Sequence, residues 1–181
     1  MIFVTDVRGS CTYASPEWTT LTGQEVAEAL GHGWLARVHP ADRTVVAGTM
    51  AAAVRRGEEF SVRYRLLMPD GTLRWVGAGG VPSFGVHGDT FIGHLGTVTE
   101  LAAGATDTIT AYGSIERFVP PPPHPNTMPN SRLDQVADYL ILAHSLIEVD
   151  GGKEALPDLR NALFKIGRAL AARIRVQGQL N

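Results

Sequence analysis

The sequence predicts an α+β protein in which an antiparallel sheet with short helices precedes a C-terminal helical hairpin. Apolar and polar side chains alternate over residues 60–68, which is the period of a strand with one buried face. Residues 69–71 (Pro-Asp-Gly) supply turn chemistry, and a second strand follows through Trp75 and Val76. Residues 131–174 place apolar side chains at three- and four-residue spacings, which predicts two helices there.

Composition and charge limit what the protein can be. Its 181 residues, 44% of them hydrophobic and 19% charged, suit one ordinary domain with an appendage. The net charge of −2 provides no field that favours nucleic acid or anionic lipid. The single cysteine, Cys11, excludes an internal disulfide framework and suits a reducing compartment. No apolar run approaches the ~20 residues of a membrane span, and no signal peptide is recognisable. We therefore expect a cytoplasmic protein without nucleic-acid or membrane partners.

Turn and cap residues predict the elements on either side of the hairpin. Two short strands are expected at residues 3–7 and 11–14, and short helices follow them. A longer helix should run over residues 43–56, with Asp42 as its N-cap. A turn at residues 85–89 then leads to a last strand over residues 90–99.

Four segments in this order resemble the PAS family of sensory domains. They read YASPEWTTLTG (13–23), WLARVHPADR (34–43), the hairpin (60–81) and FIGHLGTVTE (91–100). The resemblance covers residues 1–102 and implies a five-stranded antiparallel sheet with the helices across one face. We therefore predict a PAS-like sensory domain over residues 1–102, a proline-rich linker over 103–130 and a helical hairpin over 131–178.

The same resemblance implies which side chains face a ligand pocket between helices and sheet. The candidate pocket residues, which would otherwise serve as plain core, are Trp34, Val45, Met50, Tyr64, Leu66, Val76 and Leu95. The opposite face of the last strands would carry Arg63, Arg65, Leu67, Trp75, Ile92, His94 and Val98. That face is too apolar to stay in water, so the C-terminal segment or a second subunit should cover it. The glycines of residues 77–80 would permit the close approach of another chain segment or a bulge.

The C-terminal third predicts a spacer followed by a dimerising hairpin. Residues 119–125 (VPPPPHP) cannot lie inside a helix or sheet, so we expect an extended spacer or, alternatively, a ligand for a proline-binding domain. An acidic first helix and a basic second helix suit an antiparallel hairpin, whose small core favours a homodimer with a four-helix bundle. The interface candidates are Trp75, Ile92, His94, Leu140 and Leu163.

The sequence implies no cofactor firmly. In PAS proteins a haem is normally held by a histidine on or near the long helix, and residues 43–56 contain none, although His32 and His39 precede them. A flavin is disfavoured because Cys11 lies before the helical region in which the light-oxygen-voltage subfamily carries its cysteine. Leu95 also stands where that subfamily has a flavin-contacting glutamine. His39 itself is either a proton switch or a hydrogen-bonded loop residue.

His144 in the first hairpin helix faintly resembles the phospho-accepting histidine of histidine-kinase hairpins. Ser145 follows it where those proteins have an acidic residue. No nucleophile–base pair, metal-ligand spacing or pair of catalytic carboxylates is visible. We therefore predict a non-enzymatic sensory module that binds a small-molecule cue or a signalling protein and relays it through a dimerising hairpin. The alternatives are a phosphorelay component that uses His144 and a haem-based sensor.

Overall fold

A six-stranded antiparallel sheet lies at the centre of the protein. The computed structural model describes residues 1–85, 90–105 and 109–177, without the side chains of residues 148–150 and 174–177. The strands are β1 (Ile2–Thr5), β2 (Cys11–Ala14), β3 (Phe60–Leu67), β4 (Leu73–Phe84), β5 (Phe91–Glu100) and β6 (Tyr112–Ser114). Their order across the sheet is β2-β1-β5-β4-β3-β6. The predicted α+β class is confirmed, and β6 is a sixth strand within residues 103–130, which the sequence predicts as a linker.

Five α-helices accompany the sheet in the described part of the chain. They are α1 (Glu17–Thr22), α2 (Val26–Ala29), α3 (Arg43–Arg56), α4 (Arg132–Asp150) and α5 (Leu156–Gln177). The predicted bounds of α3 are confirmed. Its N-cap residue, Asp42, makes no side-chain capping bond, because its carboxylate instead accepts hydrogen bonds from Arg65 on β3.

The predicted hairpin is formed by β3 and β4. Burial alternates along β3, and Arg65 lies opposite Trp75 in the register of the two strands. The turn is closed by a 3.0 Å hydrogen bond from Gly71 N to Met68 O, and Gly71 has a φ of 80°, which glycine adopts without steric cost. Residues 86–89 of the turn predicted at 85–89, and residue 178 of the predicted hairpin, lie outside the described residues.

The register of β5 corrects the predicted faces of that strand. Val98 lies opposite Ala78, and Leu95 lies opposite Val81. Val98 therefore joins the core between sheet and helices, whereas Leu95 packs in a second core on the opposite side. His94 also lies on the helix side, where its ring packs edge-on against Phe60 at 5.2 Å. The assignment failed because side chains alternate along a strand, so an error of one residue exchanges the two faces.

The inner face of the sheet is covered by α1, α2 and α3. Val46 and Ala53 of α3 are fully buried there, together with Trp18 of α1 and Ala29 of α2. This layer forms one apolar core with the inward side chains of β3 and β4. The arrangement is the one that the resemblance implied.

The outer face of the sheet is covered by the chain itself. Residues 118–129, hereafter the strap, cross β4 where it carries Gly77 and Gly79. A Cβ atom added at Gly77 would lie 2.7 Å from Pro121 Cγ, and one added at Gly79 would lie 2.2 Å from Phe118 Cδ2. The predicted close approach at these glycines is confirmed. The proline-rich residues therefore pack against the sheet along part of their length.

The helical hairpin of α4 and α5 covers the rest of the outer face. Its buried residues Ala137, Ile141, Leu163 and Leu170 form one core with Ile2, Val4, Tyr13, Val81, Leu95 and Phe118. Ser131 caps α4, because its hydroxyl accepts a 3.2 Å hydrogen bond from Asp134 N. Of the two coverings that we expected for this face, the structure has the C-terminal segment.

Candidate functional site

A small apolar cavity lies between the inner face of the sheet and α1–α3. Its volume is about 50 Å³. The residues that line it are Met1, Ile2, Phe3, Thr5, Cys11, Ala14, Trp18, Ala29, Trp34, Val46, Met50, Phe60, Val62, Tyr64, Ala78 and Val98. Pockets for drug-sized organic ligands are typically about 300–1,000 Å³. The cavity therefore accepts a very small molecule without rearrangement, and a larger one only if side chains move.

The structure brings three of the seven predicted pocket residues to the cavity. Trp34, from the 3-10 turn Gly33–Arg37, lines it together with Met50 of α3 and Tyr64 of β3. Leu66 and Val76 are fully buried in the same core but do not line the cavity. The remaining two are elsewhere: Val45 is 36% exposed on α3, and Leu95 faces the helical hairpin.

Sequence reasoning missed the part of the wall that comes from β1 and β2. Ile2, Phe3, Cys11 and Ala14 all line the cavity. Both strands are four residues long, so their alternation is too brief to separate an inward from an outward face. The available signal was the apolar start of the chain followed by a turn, which predicts the strands but not their orientation.

Most polar groups in the cavity wall are already bonded to protein. Thr5 Oγ1 accepts a 3.0 Å hydrogen bond from His94 N, and Trp18 Nε1 donates to Gln24 Oε1 at 3.0 Å. Cys11 Sγ contacts Tyr13 O at 3.2 Å, and burial raises the pKa of the thiol to about 11. Cys11 is therefore a protonated thiol at neutral pH, which makes it a poor nucleophile.

Tyr64 differs from Thr5, Trp18 and Cys11 in its hydrogen bonding. The residue is 2% exposed, and within residues 1–85, 90–105 and 109–177 no hydrogen bond involves its hydroxyl. Burial raises the pKa of Tyr64 above its ordinary value, so the hydroxyl is protonated and able to donate.

An ion pair between Asp42 and Arg65 joins the start of α3 to β3 at the edge of this core. Asp42 is 1% exposed, and its carboxylate accepts hydrogen bonds from Arg65 N and Nε, each at 2.9 Å. Burial acts to raise the pKa of Asp42, but the bonds and charge of Arg65, with a contribution from His39, lower it overall. The Arg65 guanidinium also lies 5.5 Å from the centre of the Trp75 ring. His39 Nδ1 accepts a 3.3 Å bond from Ala41 N, as in the hydrogen-bonded loop interpretation.

The histidines of the described part of the chain do not reach the cavity. None is among the lining residues. His94 Nε2 donates a 2.9 Å hydrogen bond to Glu58 O, and the pKa of His94 is lowered by burial, although this bond opposes the shift. The same residues hold no group of three or more His, Cys, Asp or Glu side chains with the geometry of a metal site. These positions do not suit axial ligation of a haem in the cavity.

His144 lies in a polar joint between the sheet and the hairpin. We define this joint by the side chains of Glu59, Arg117, His144, Ser145 and Arg160. His144 is 1% exposed, its Nδ1 lies 3.6 Å from Glu59 Oε1, and its Nε2 lies 3.2 Å from Arg160 Nε. Because the arginine nitrogen can only donate, His144 Nε2 accepts and is the unprotonated nitrogen. A histidine this deeply buried is inaccessible to a kinase, which argues against phosphotransfer through His144 in this conformation.

The joint also holds the strap and α4. Glu59 Oε2 accepts a 2.8 Å hydrogen bond from Phe118 N, and the Arg117 guanidinium donates to Ser145 O and, at 3.3 Å, to Ser145 Oγ. Glu59, the residue before β3, therefore contacts the strap and α4, and α5 joins the group through the bond from Arg160 to His144.

The predicted interface residues divide between the interior and the surface of the chain. Leu163 is 1% exposed and Leu140 packs partly against the same outer core, so both contact the sheet of their own chain. His94 is buried on the inner side, and Trp75 and Ile92 are half-buried. Apolar side chains that remain exposed on α4 are Val136, Tyr139, Leu142 and Leu146. Among the described residues, no helix combines the length and apolar character needed to cross a membrane.

Comparisons with known proteins agree with this architecture. A family model of the PAS fold matches residues 12–92. The uncharacterised protein y4lL of Sinorhizobium fredii (strain NBRC 101917 / NGR234) is 38% identical over 101 residues, which are 56% of this chain and 12% of that protein's length. The chain thus corresponds to a small part of that relative.

Two solved structures share the fold. A LOV protein of Rhodobacter sphaeroides has a TM-score of 0.52 at 17% identity, over 99% of this chain and 90% of that chain. The N-terminal domain of a diguanylate cyclase with PAS/PAC sensor from Marinobacter aquaeolei has a TM-score of 0.50 at 19% identity, over 55% and 92% respectively. The first comparison includes α4 and α5. Together with the family match, the sheet and the helices on its inner face show that residues 12–92 are a PAS domain, a sensory domain with a role in signalling.

Proposed function

We propose that the protein is a non-enzymatic sensory module whose cavity binds a small apolar molecule and whose helical hairpin reports the binding. The observation that carries this proposal is the apolar cavity of about 50 Å³ between the sheet and the helices of the PAS domain. Burial of an apolar ligand there is favourable because it removes apolar surface from water. No step of covalent chemistry is required of the cavity wall.

The start of β3 is the proposed route from the cavity to the hairpin. Phe60 lines the cavity, and Glu59, the residue before it, contacts His144 of α4 and the backbone of Phe118. Glu58 O is held from the other side by the His94 ring. A ligand that displaces Phe60 would therefore strain the contacts of Glu59. The ligand shifts the hairpin only if its affinity differs between the arrangement with the Glu59 contacts intact and an arrangement in which they are broken.

Native mass spectrometry of the protein purified from its own host, with an absorption spectrum of the same sample, tests the cavity. Extra mass of a small molecule that disappears on unfolding supports the proposal, and the spectrum separates colourless ligands from haem or flavin. A measured mass equal to that of the polypeptide alone would count against a bound ligand. The signal received by the protein would then be a protein partner.

Hydrogen exchange tests the route to the hairpin. Removing the bound molecule should change the exchange rates of α4 and α5 in the wild type, and the change should shrink in Glu59→Gln. Glu58→Gln is the matched control, because the Glu58 contact to His94 uses only its backbone oxygen. Equal changes in the two variants would remove Glu59 from the route.

The homodimer stays a prediction, with a different interface. Leu140 and Leu163 are used within the chain, so a second copy would have to contact exposed side chains such as Tyr139 and Leu146, which are 68% and 52% exposed. The mass measured under native conditions decides between monomer and dimer. If a dimer is found, Tyr139→Asp should dissociate it, whereas an unaffected dimer would place the interface elsewhere.

A further inference from the structure

Tyr64 is the largely buried polar residue of the cavity wall for which no side-chain hydrogen bond is found among the described residues. Tyr64 is 2% exposed and lines the cavity, and among the described residues burial alone raises its pKa, with no hydrogen bond to its Oη. The hydroxyls and thiol nearby differ in this respect, since Thr5 and Cys11 are each bonded to backbone atoms. A hydroxyl that faces an apolar cavity without an acceptor is unfavourable, and a ligand that supplies the acceptor removes that cost.

We propose that Tyr64 is the polar anchor of the cavity, and that the ligand is a very small apolar molecule with one carbonyl or ether oxygen. This inference rests on the proposed function, because it requires that the cavity bind a molecule. Such a ligand would place its apolar part against Phe60, Val62 and Met50 and its oxygen at Tyr64 Oη.

The size of the cavity limits the ligand further. On the scale used for cavities, one water occupies roughly 10–15 Å³, so 50 Å³ accommodates on the order of four heavy atoms without rearrangement. Acetone and isobutene are suitable probes at this size. They share one shape, and they differ only in that a C=O group of acetone replaces a C=CH₂ group of isobutene. Their comparison therefore isolates the acceptor.

Four methionines make the binding measurable by NMR of their methyl groups. Met50 lines the cavity, whereas Met128 is 54% exposed on the strap and serves as an internal reference. Each probe is titrated into the full chain labelled at the methionine methyl groups. Specific binding shifts the Met50 resonance with saturation and leaves the Met128 resonance in place.

Tyr64→Phe removes the hydroxyl and keeps the ring. We expect the affinity for acetone to fall about tenfold in this variant, as for the loss of one hydrogen bond, and the affinity for isobutene to change less than twofold. Tyr13→Phe is the matched control, because the Tyr13 hydroxyl is bonded to Asp134 on the outer side of the sheet. It should leave both affinities unchanged.

Each outcome separates the two proposals. If both probes shift Met50 and acetone binds Tyr64→Phe as tightly as the wild type, the cavity is a binding site but Tyr64 is not its anchor. If isobutene binds and acetone does not, the cavity disfavours a carbonyl oxygen, and the proposed class of oxygen-containing ligands is wrong. If neither probe shifts Met50 in the wild type, the cavity is closed core and the proposed function itself fails.

Discussion

The two faces of the sheet are covered in different ways. On the inner face, side chains of α1–α3 meet side chains of the strands and leave a cavity of about 50 Å³. On the outer face, the strap lies directly on the backbone of β4, where Gly77 and Gly79 leave no room for a Cβ atom. The side chains on the inner face leave space that a small ligand could use, whereas the strap leaves no space for an added Cβ atom at these two glycines. The proposed ligand cavity therefore lies on the inner face, whereas the hairpin is attached to the outer face.

The largest effect expected on the outer face comes from Phe118→Ala. Phe118 is 1% exposed and belongs to the core that joins strap, sheet and hairpin. The change should lower the free energy of unfolding by about 3–5 kcal/mol, because it removes a buried ring and leaves a void. Urea denaturation measures this. Val119→Ala, at a neighbour that is 60% exposed, should stay within about 0.5 kcal/mol. Equal small losses would mean that the strap is a loose spacer after all.

Adjacent residues of β4 should respond in opposite ways to added atoms. Gly77→Ala places a Cβ atom 2.7 Å from Pro121 Cγ, so it should cost about 1–3 kcal/mol in unfolding free energy. Ala78→Val points toward the cavity and should change that free energy by less than about 1 kcal/mol. Adding Pro121→Ala to Gly77→Ala should recover part of the loss. If Ala78→Val lowers the unfolding free energy and Gly77→Ala does not, the inner face is the more tightly packed of the two, contrary to this prediction.

The pH dependence of the unfolding free energy tests the ion pair between Asp42 and Arg65 at the edge of the inner layer. Its pKa is lowered in the folded protein, so its contribution to stability is present above the unfolded pKa of about 3.9 and is lost as the pH falls through the folded pKa. Asp42→Asn should therefore cost about 1–3 kcal/mol at pH 7. The gap to the wild type should narrow in urea denaturation near pH 3.

The control for this titration is Glu25→Gln, since Glu25 is exposed before α2. This variant should follow the wild type at both pH values within about 0.5 kcal/mol. A pH-independent difference between wild type and Asp42→Asn would show that the carboxylate acts by shape rather than by charge.

The smallest expected effect concerns the packing of α5 against the sheet at Gly167. A Cβ atom added at Gly167 would meet Leu95 Cβ and Val4 Cγ1 at 4.0 Å, which is ordinary contact. Gly167→Ala should therefore raise the free energy of unfolding by about 0.5–1 kcal/mol, through the better helix propensity of alanine. Gly48→Ala in α3, where no atom lies within 4 Å of the added Cβ, should give a similar gain. A loss at Gly167 alone would indicate tighter packing of α5.

Local chemistry was enough to predict the elements and much of their arrangement. The Pro-Asp-Gly turn specified the β3–β4 hairpin, and the spacing of apolar residues specified α3, because turns and amphipathic periods depend on neighbouring residues only. The glycines of β4 indicated a close approach without saying which segment makes it. Of the candidate site, Trp34, Met50 and Tyr64 were placed at the cavity, whereas its β1 and β2 wall was missed.

What the sequence by itself determined was therefore the identity of the elements: an α+β chain with a PAS-type hairpin, a proline-rich segment and two C-terminal helices. Only the tertiary structure decided which face of β5 holds Leu95, where the strap lies and what surrounds His144. The physical reason is distance along the chain. The register of β5 is set by pairing with β1 and β4, and the burial of His144 depends on Glu59, which precedes it by more than eighty residues. Such contacts leave no periodic or local signal in the residues that make them.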